Sequence, residues 1–421
     1  MLNTASIAAV EHATWREPFI QPLVDSYCFS NLPALVQHAL TGEGKMAMPA
    51  DVLGPLPQRH EAVVLFFVDG LGWRFIEPRL ERYPFLQHVL KVGAVSKLTS
   101  MFPSTTSAHT TTIHTGLPPA QSGVYEWHQF NEQLDRIITP LMFAYPRDKY
   151  RDSLLNEGLK IGDVFPARTI YQQLARAGVK SHIFITRDLA KSAPTRALSD
   201  GATIIPYKTL PEALVNLAQL LRLRKQPSYY FVYFSNIDTI CHDYGPGAAQ
   251  VDAEIDAFLA LMERVLLPAA RGANALLLVS ADHGQVEVDP KTTLYLNHAV
   301  PNFKRFVAVN RMGELLVPAG SPRDFFLHIR PELLDEAQNA IQKAVTGKAI
   351  TVKSQALIDA GFFGPQPSDA FKKRVGNLVV LPFKGESVYY YEREVFENRF
   401  YGHHGGMTRE EMEIPLLACV L

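Results

Sequence analysis

Five short segments of this chain carry side chains that could hold metal ions or attack an electrophile. Asp69 follows the apolar run 62–68 and precedes Gly70. Asp238 and His242 follow the run 229–235, and they share a face if the segment is helical. A carboxylate with a neutral imidazole suits Zn²⁺ or Mn²⁺. Asp282 and His283 are adjacent after the run 275–280. They converge only where a strand ends and the chain turns, a freedom Gly284 supplies. His403 and His404 are framed by glycines, ahead of Thr408 and Glu411 at capping-box spacing. The fifth segment, 101–117, is dense in hydroxyls, Thr105 and Thr106 among them. A threonine is a poor nucleophile unless a cation or a base assists it. A helix starting there would aim free N–H groups at a phosphoryl group.

Each segment alone also fits a capped helix or a solvated loop. Their shared position favours the chemical reading. They sit at the C-terminal ends of buried runs, the edge of an open α/β sheet where ligands bind.

The elements that must position these residues follow from the apolar pattern. The runs at 62–68, 181–186, 229–235, 275–280 and 377–383 have the continuous character of strands buried on both faces. Helical periodicity lies between them at 167–177, 210–223 and 248–266. The alternation predicts an α/β fold with a mostly parallel central sheet flanked by helices. Residues 1–60 are proline-rich and read as a lead-in segment packed on the core. Residues 61–300 and 376–421 read as the core itself. Residues 301–375 read as a smaller α+β insertion overhanging the site, with strands in VNRMGELLV and KAITVK and a helix over 331–344.

Composition narrows the partners. The 421 residues carry 41 Lys and Arg against 42 Asp and Glu, so no basic excess points to polymeric nucleic acid. Bound metal would supply positive charge that composition does not show. Three scattered cysteines argue against a disulfide framework and suit a reducing compartment. No leader pattern opens the chain and no apolar run is long enough for a membrane span. A cytoplasmic protein acting on a small ligand, with no membrane partner, is expected.

The ordered set is then recognisable. VDGLG at 68–72, FPSTT at 102–106, TGLPP at 115–119, SGV at 122–124, NIDTICHDYGP at 236–246, SADHG at 280–284 and GHHGGMTREEMEIPL at 402–416 cover nearly the whole chain. The set resembles the alkaline phosphatase superfamily, and within it the type I phosphodiesterase/nucleotide pyrophosphatase family. The closing run is also similar to cofactor-independent phosphoglycerate mutases, but the threonine and the Asp-x-x-x-His segment favour the phosphodiesterases.

The resemblance implies one metal site of Asp238, His242 and His404, and a second of Asp69, Thr106, Asp282 and His283. Both usually hold zinc in that family, with Mn²⁺ or Mg²⁺ as alternatives. It selects Thr106 over Thr105 and His404 over His403. It implies two in-line displacements through a phospho-threonine, on a small phosphate ester such as a nucleotide. One departure stands out. The family places an Asn after the TGL helix, and here Trp127 lies near that place. Trp127 and Tyr125 are candidates to line a substrate pocket. Phosphate monoesters, sulfates or phosphonates are alternative substrates, with Arg187 and Lys191 as candidate extra cations. A metal-stabilised binding module without turnover is the alternative of another class.

Overall fold

The computed structural model describes residues 1–44 and 46–421. Its central sheet has seven strands: β1 (Ala62–Val68), β2 (Ala94–Thr99), β3 (Lys180–Thr186), β4 (Thr203–Tyr207), β5 (Ser228–Phe234), β6 (Leu276–Ser280) and β7 (Glu413–Val420). They lie in the order β2-β7-β6-β1-β5-β3-β4. From β6 to β4 every pair is parallel, whereas β7 runs antiparallel to both its neighbours. β1 is buried at all 7 residues because strands cover both its edges and helices both its faces. Helices Leu32–Thr41, Leu210–Leu223 and Ala249–Leu261 pack their apolar stripes into the same core. The α/β architecture is therefore as expected. The lead-in contributes directly to this core through Phe29, Leu32 and Val36. Among the described residues no helix is long and apolar enough to cross a membrane.

Two features depart from the sequence pattern. Residues 377–383 look like a core strand, yet Leu378–Pro382 belongs to a separate four-stranded antiparallel sheet. That sheet runs in the order Ala319–Ser321, Asp324–Leu327, Leu378–Pro382, Ala349–Lys353, with helix Leu334–Ala344 packed against it. A boundary at 375 therefore cuts through the insertion's own sheet. The physical reason is that a continuous apolar run reports burial on both faces, not which sheet buries it. The insertion instead leaves the core after Val286–Glu287 and returns at Gly402–His403, and these two segments pair antiparallel. The VNRMGELLV stretch forms no strand but a turn, bridged at Val309 and Leu315.

Candidate active site

Two helices and three loops bring the chemically capable residues to one edge of the sheet. Asp69 is the first residue past β1, and its N–H donates to Phe234 O at 2.8 Å. Gly70 follows with φ +74°, where a Cβ would stand 2.9 Å from Asp238 Cα. Glycine at this position lets helix α2 (Asn236–Tyr244) approach the end of β1. Helix α1 (Thr106–Thr115) begins at Thr106, with Thr105 extended as its N-cap residue. The N-terminal turn of α1 thus faces the same centre.

Thr106 Oγ1 lies 3.5 Å from Asp69 Oδ1 and 3.3 Å from His283 Nε2. His283 Nε2 is 3.4 Å from Asp69 Oδ1 and 3.3 Å from Asp282 Oδ2. On the other side, Asp238 Oδ2 is 3.4 Å from His242 Nε2, and Asp238 Oδ1 is 3.7 Å from His404 Nε2. All seven expected site residues therefore converge. His403 does not join them: it is buried and its Nε2 meets Asn398 Oδ1 at 2.8 Å.

The three converging histidines share one orientation device. His242 Nδ1 lies 2.7 Å from Gly402 O, His283 Nδ1 3.0 Å from Gly284 O, and His404 Nδ1 3.0 Å from Ser104 O. A carbonyl can only accept, so each Nδ1 carries a proton, and Nε2 is the nitrogen that offers a lone pair to the centre when the ring is neutral. That is the tautomer a metal-ligating histidine needs.

The carboxylates behave as a crowded cluster. Burial, with Asp282 and Asp238 nearby, pushes Asp69 well above the usual carboxylate range. Burial and Asp238 push Asp282 up to about 7. Burial works against ionisation of Asp238 too, but His242, His404 and His283 outweigh it and bring its pKa down. Asp282 Oδ2 is buried with no hydrogen-bond partner. Two buried carboxylates, the partly buried Asp238, one unpartnered oxygen and three aimed imidazoles fit divalent cations well. Two groups have ligand atoms within 4.8 Å of one another: Asp238, His242 and His404, and Asp69, Asp238 and His283. Asp238 belongs to both, although it is expected in one site only. Asp282 reaches the second group through His283.

Two supporting residues escape sequence reasoning. Tyr233 donates to Asp69 Oδ2 at 2.5 Å, and Gln285 donates to Asp238 Oδ1 at 2.5 Å. Gln285 sits three residues after Asp282, a spacing that could have flagged it. Tyr233 is one aromatic in an apolar strand and gives no signal.

Two cavities meet at Thr106, Trp127 and Asp238. One, about 310 Å³, also touches Asp69, Thr110, Arg151 and Tyr233. The other, about 410 Å³, lies under the insertion beside His242 and His404. Trp127, 39% exposed, lines both. Tyr125 does not line either, which corrects its expected pocket role. It is fully buried, edge-on to Phe326 and Phe371, with its hydroxyl donating to Arg374 O at 3.2 Å. It serves the apolar cluster that joins the insertion to the core, with Phe102, Phe326, Phe363 and Phe371. Arg187 and Lys191 line neither cavity; Arg187 pairs with Glu212 at 3.2 Å.

The profile of the type I phosphodiesterase/nucleotide pyrophosphatase family matches residues 63–407. The chain belongs to that family. Among its relatives is ectonucleotide pyrophosphatase/phosphodiesterase family member 3 of Rattus norvegicus, 24% identical over 285 residues. That match covers 65% of this chain and 30% of the relative's length. The fold is similar to murine ectonucleotide pyrophosphatase/phosphodiesterase 5, solved as an inactive variant in complex with AMP (TM-score 0.61, 17% identity, covering 85% of this chain and 87% of that one). It is also similar to phosphonoacetate hydrolase of Sinorhizobium meliloti 1021 in complex with phosphonoacetate (TM-score 0.58, 16% identity, covering 85% and 89%). The type I phosphodiesterase/nucleotide pyrophosphatase match spans every segment built into the site, from Asp69 to His404.

Proposed function

We propose that this chain hydrolyses phosphodiesters through a phospho-threonine on Thr106, with two divalent cations, zinc by preference. The observation that carries the reading is the position of Thr106. Its hydroxyl sits at the first turn of α1, within 3.5 Å of both Asp69 and His283. Asp69, Asp282 and His283 would hold one cation and His242 and His404 the other, with Asp238 near both. Bound there, such ions would lower the pKa of a hydroxyl or water and offset charge on the oxygens around phosphorus.

The chain's own residues do the rest. Thr106 Oγ1 loses its proton and bonds to phosphorus as the ester oxygen departs opposite with the bonding pair. Water then attacks phosphorus, the Oγ1–phosphorus bond breaks, the phosphate monoester leaves and Oγ1 takes a proton back. The free N–H groups at the start of α1 favour the anionic phosphoryl group. Tyr233 and Gln285 keep two carboxylates pointing inward. A nucleotide is one candidate substrate, since a structural relative binds AMP.

Thr106→Ala tests the reading. It should lower kcat on an aryl phosphodiester by about a thousandfold or more while metal content stays constant. Near wild-type turnover by that variant would remove Thr106 as nucleophile.

A further inference from the structure

The two cavities that meet at Thr106 differ in charge and in lining, and this difference bears on what the site can release. Resting on the phosphodiesterase reading above, we infer that the cavity beneath the insertion receives the departing group and selects an aromatic alcohol, leaving as its aryloxide, over pyrophosphate.

Direction comes first. Thr106 Oγ1 contacts Asp69 and His283. An in-line displacement sends the departing oxygen away from that side. Asp238, His242 and His404 lie across the centre, and all three line the cavity of about 410 Å³, which Asp69 does not touch. The departing group therefore moves into this cavity, while the retained arm takes the other one, where Arg151 and Thr110 offer polar contacts.

Lining comes next. The walls under the insertion include Trp127, Tyr389, Val395, Phe396 and Phe400. Phe400 stands with its ring centre 4.6 Å from that of His242, next to the reacting centre. Phe400 is 44% exposed and Trp127 39%, so two large aromatic surfaces face solvent at one mouth. Apolar surface gathered in this way marks a binding face.

The absence of a lining cation among the described residues weighs against a polyanionic departing group. Among the described residues, no lysine or arginine lines this cavity, whereas Glu126 and Glu397 do, the latter paired with Arg399 at 2.8 Å outside the lining. Glu126 is fully buried with Oε1 unpartnered. A pyrophosphate would enter a space with carboxyl groups and no side-chain cation. A neutral aromatic ring would instead bury its faces against Trp127 and Phe400.

The experiment compares two substrates with one retained arm: the 4-nitrophenyl ester of thymidine 5′-phosphate, and thymidine 5′-triphosphate. In both, the Thr106 oxygen–phosphorus bond forms as the bond to the departing oxygen breaks. The departing oxygen keeps the electron pair, and the threonine proton goes to solvent. Leaving-group acidity is the same for the natural protein and its variants, so the change in the kcat/KM ratio on substitution reads the cavity. The aryl ester should be preferred by about a hundredfold, and Phe400→Ala should shift that ratio toward the triphosphate by about tenfold. Val395→Arg should shift it the same way by adding a cation. A readout without turnover uses the metal-loaded Thr106→Ala protein titrated with 4-nitrophenol in a calorimeter. Saturable binding should weaken about fivefold or more when Phe400→Ala is added. Equal efficiency on both substrates, or a ratio and a nitrophenol affinity that ignore Phe400→Ala, overturns the inference while leaving the phosphodiesterase reading intact. Absence of turnover on both substrates overturns the phosphodiesterase reading and the inference with it.

Discussion

The imidazoles of His283 and His404 lie face to face, with ring centres 3.6 Å apart and planes 7° from parallel. His283 directs its Nε2 to Asp69 and Asp282, and His404 directs its own toward Asp238. Each ring belongs to a different ligand group, so their contact helps to fix the separation of the two groups. On the two-cation reading proposed above, His404→Ala should lose about one of the two cations, measured by mass spectrometry of the metal content, and lower kcat by about a hundredfold or more. A variant that still carries two cations would show that His404 is not a ligand.

Gly70 carries a comparable load through its backbone. Its φ of +74° is costly for any residue with a Cβ, and that Cβ would stand 2.9 Å from Asp238 Cα. Gly70→Ala should cost about 1–3 kcal/mol and displace Asp238. A thermal melt lowered by several degrees together with reduced activity is the expected pair of results; an unchanged melting temperature would refute the close approach.

Glu126 makes stability depend on pH. Burial pushes its pKa from 4.5 up to about 8 in the folded protein. Between those values the unfolded chain holds fewer protons at this site than the folded one, so the contribution of Glu126 falls as pH rises through that window. Glu126→Gln keeps the shape and cannot ionise. Its stability relative to the natural protein should therefore improve from pH 5 to pH 8 by about 1–4 kcal/mol, as urea unfolding at both values would show. A difference that stays constant with pH argues against a buried ionisation here.

Arg323 and Glu411 form a fully buried pair, with Arg323 Nη2 2.9 Å from Glu411 Oε2. Glu411 also accepts from Gly406 N at 3.0 Å and from Thr408 Oγ1 at 2.6 Å, so the pair ties the insertion to the loop that carries His404. Burial works against the ionised Glu411, but Arg323 outweighs it and lowers the pKa. This contribution is present above the ordinary carboxylate range and is lost on acidification. Arg323→Met leaves a buried charge alone and should cost about 3–5 kcal/mol at pH 7, less at pH 4. Denaturant midpoints at the two pH values check this; an equal loss at both would separate the pair from the acid response.

The site was more legible in the sequence than the architecture around it. Asp69, Asp238 and Asp282 could be placed because each follows a continuous apolar run, and such a run ends where a buried strand meets the ligand-binding edge. β2 was not recognised because Ser96, Lys97 and Thr99 interrupt its apolar character. Lys97 is nevertheless buried, 3.2 Å from Glu413 and over the ring of Trp73. That compensation comes from residues distant in sequence. Leu378–Pro382 failed in the opposite way: its apolar run was clear, but nothing local says which sheet it joins. Tyr125 and Trp127 are both aromatic, and only packing against Phe326 and Phe371 puts the first inside and leaves the second at the cavity mouth.

The short pairing of Val286–Glu287 with Gly402–His403 gives the molecule a modular joint. The chain departs for the insertion and returns at neighbouring positions, directly after Asp282 and His283 and directly before His404. Everything that shapes the aromatic cavity from above lies between those two points, except Trp127 and its neighbours. The cap is also a brace: Arg323 on Glu411 and Phe326 against Phe102 mean that exchanging it disturbs the loops that carry His404 and Thr106. A new cap on this scaffold has to keep the contact of Arg323 with Glu411 as well as the clasp.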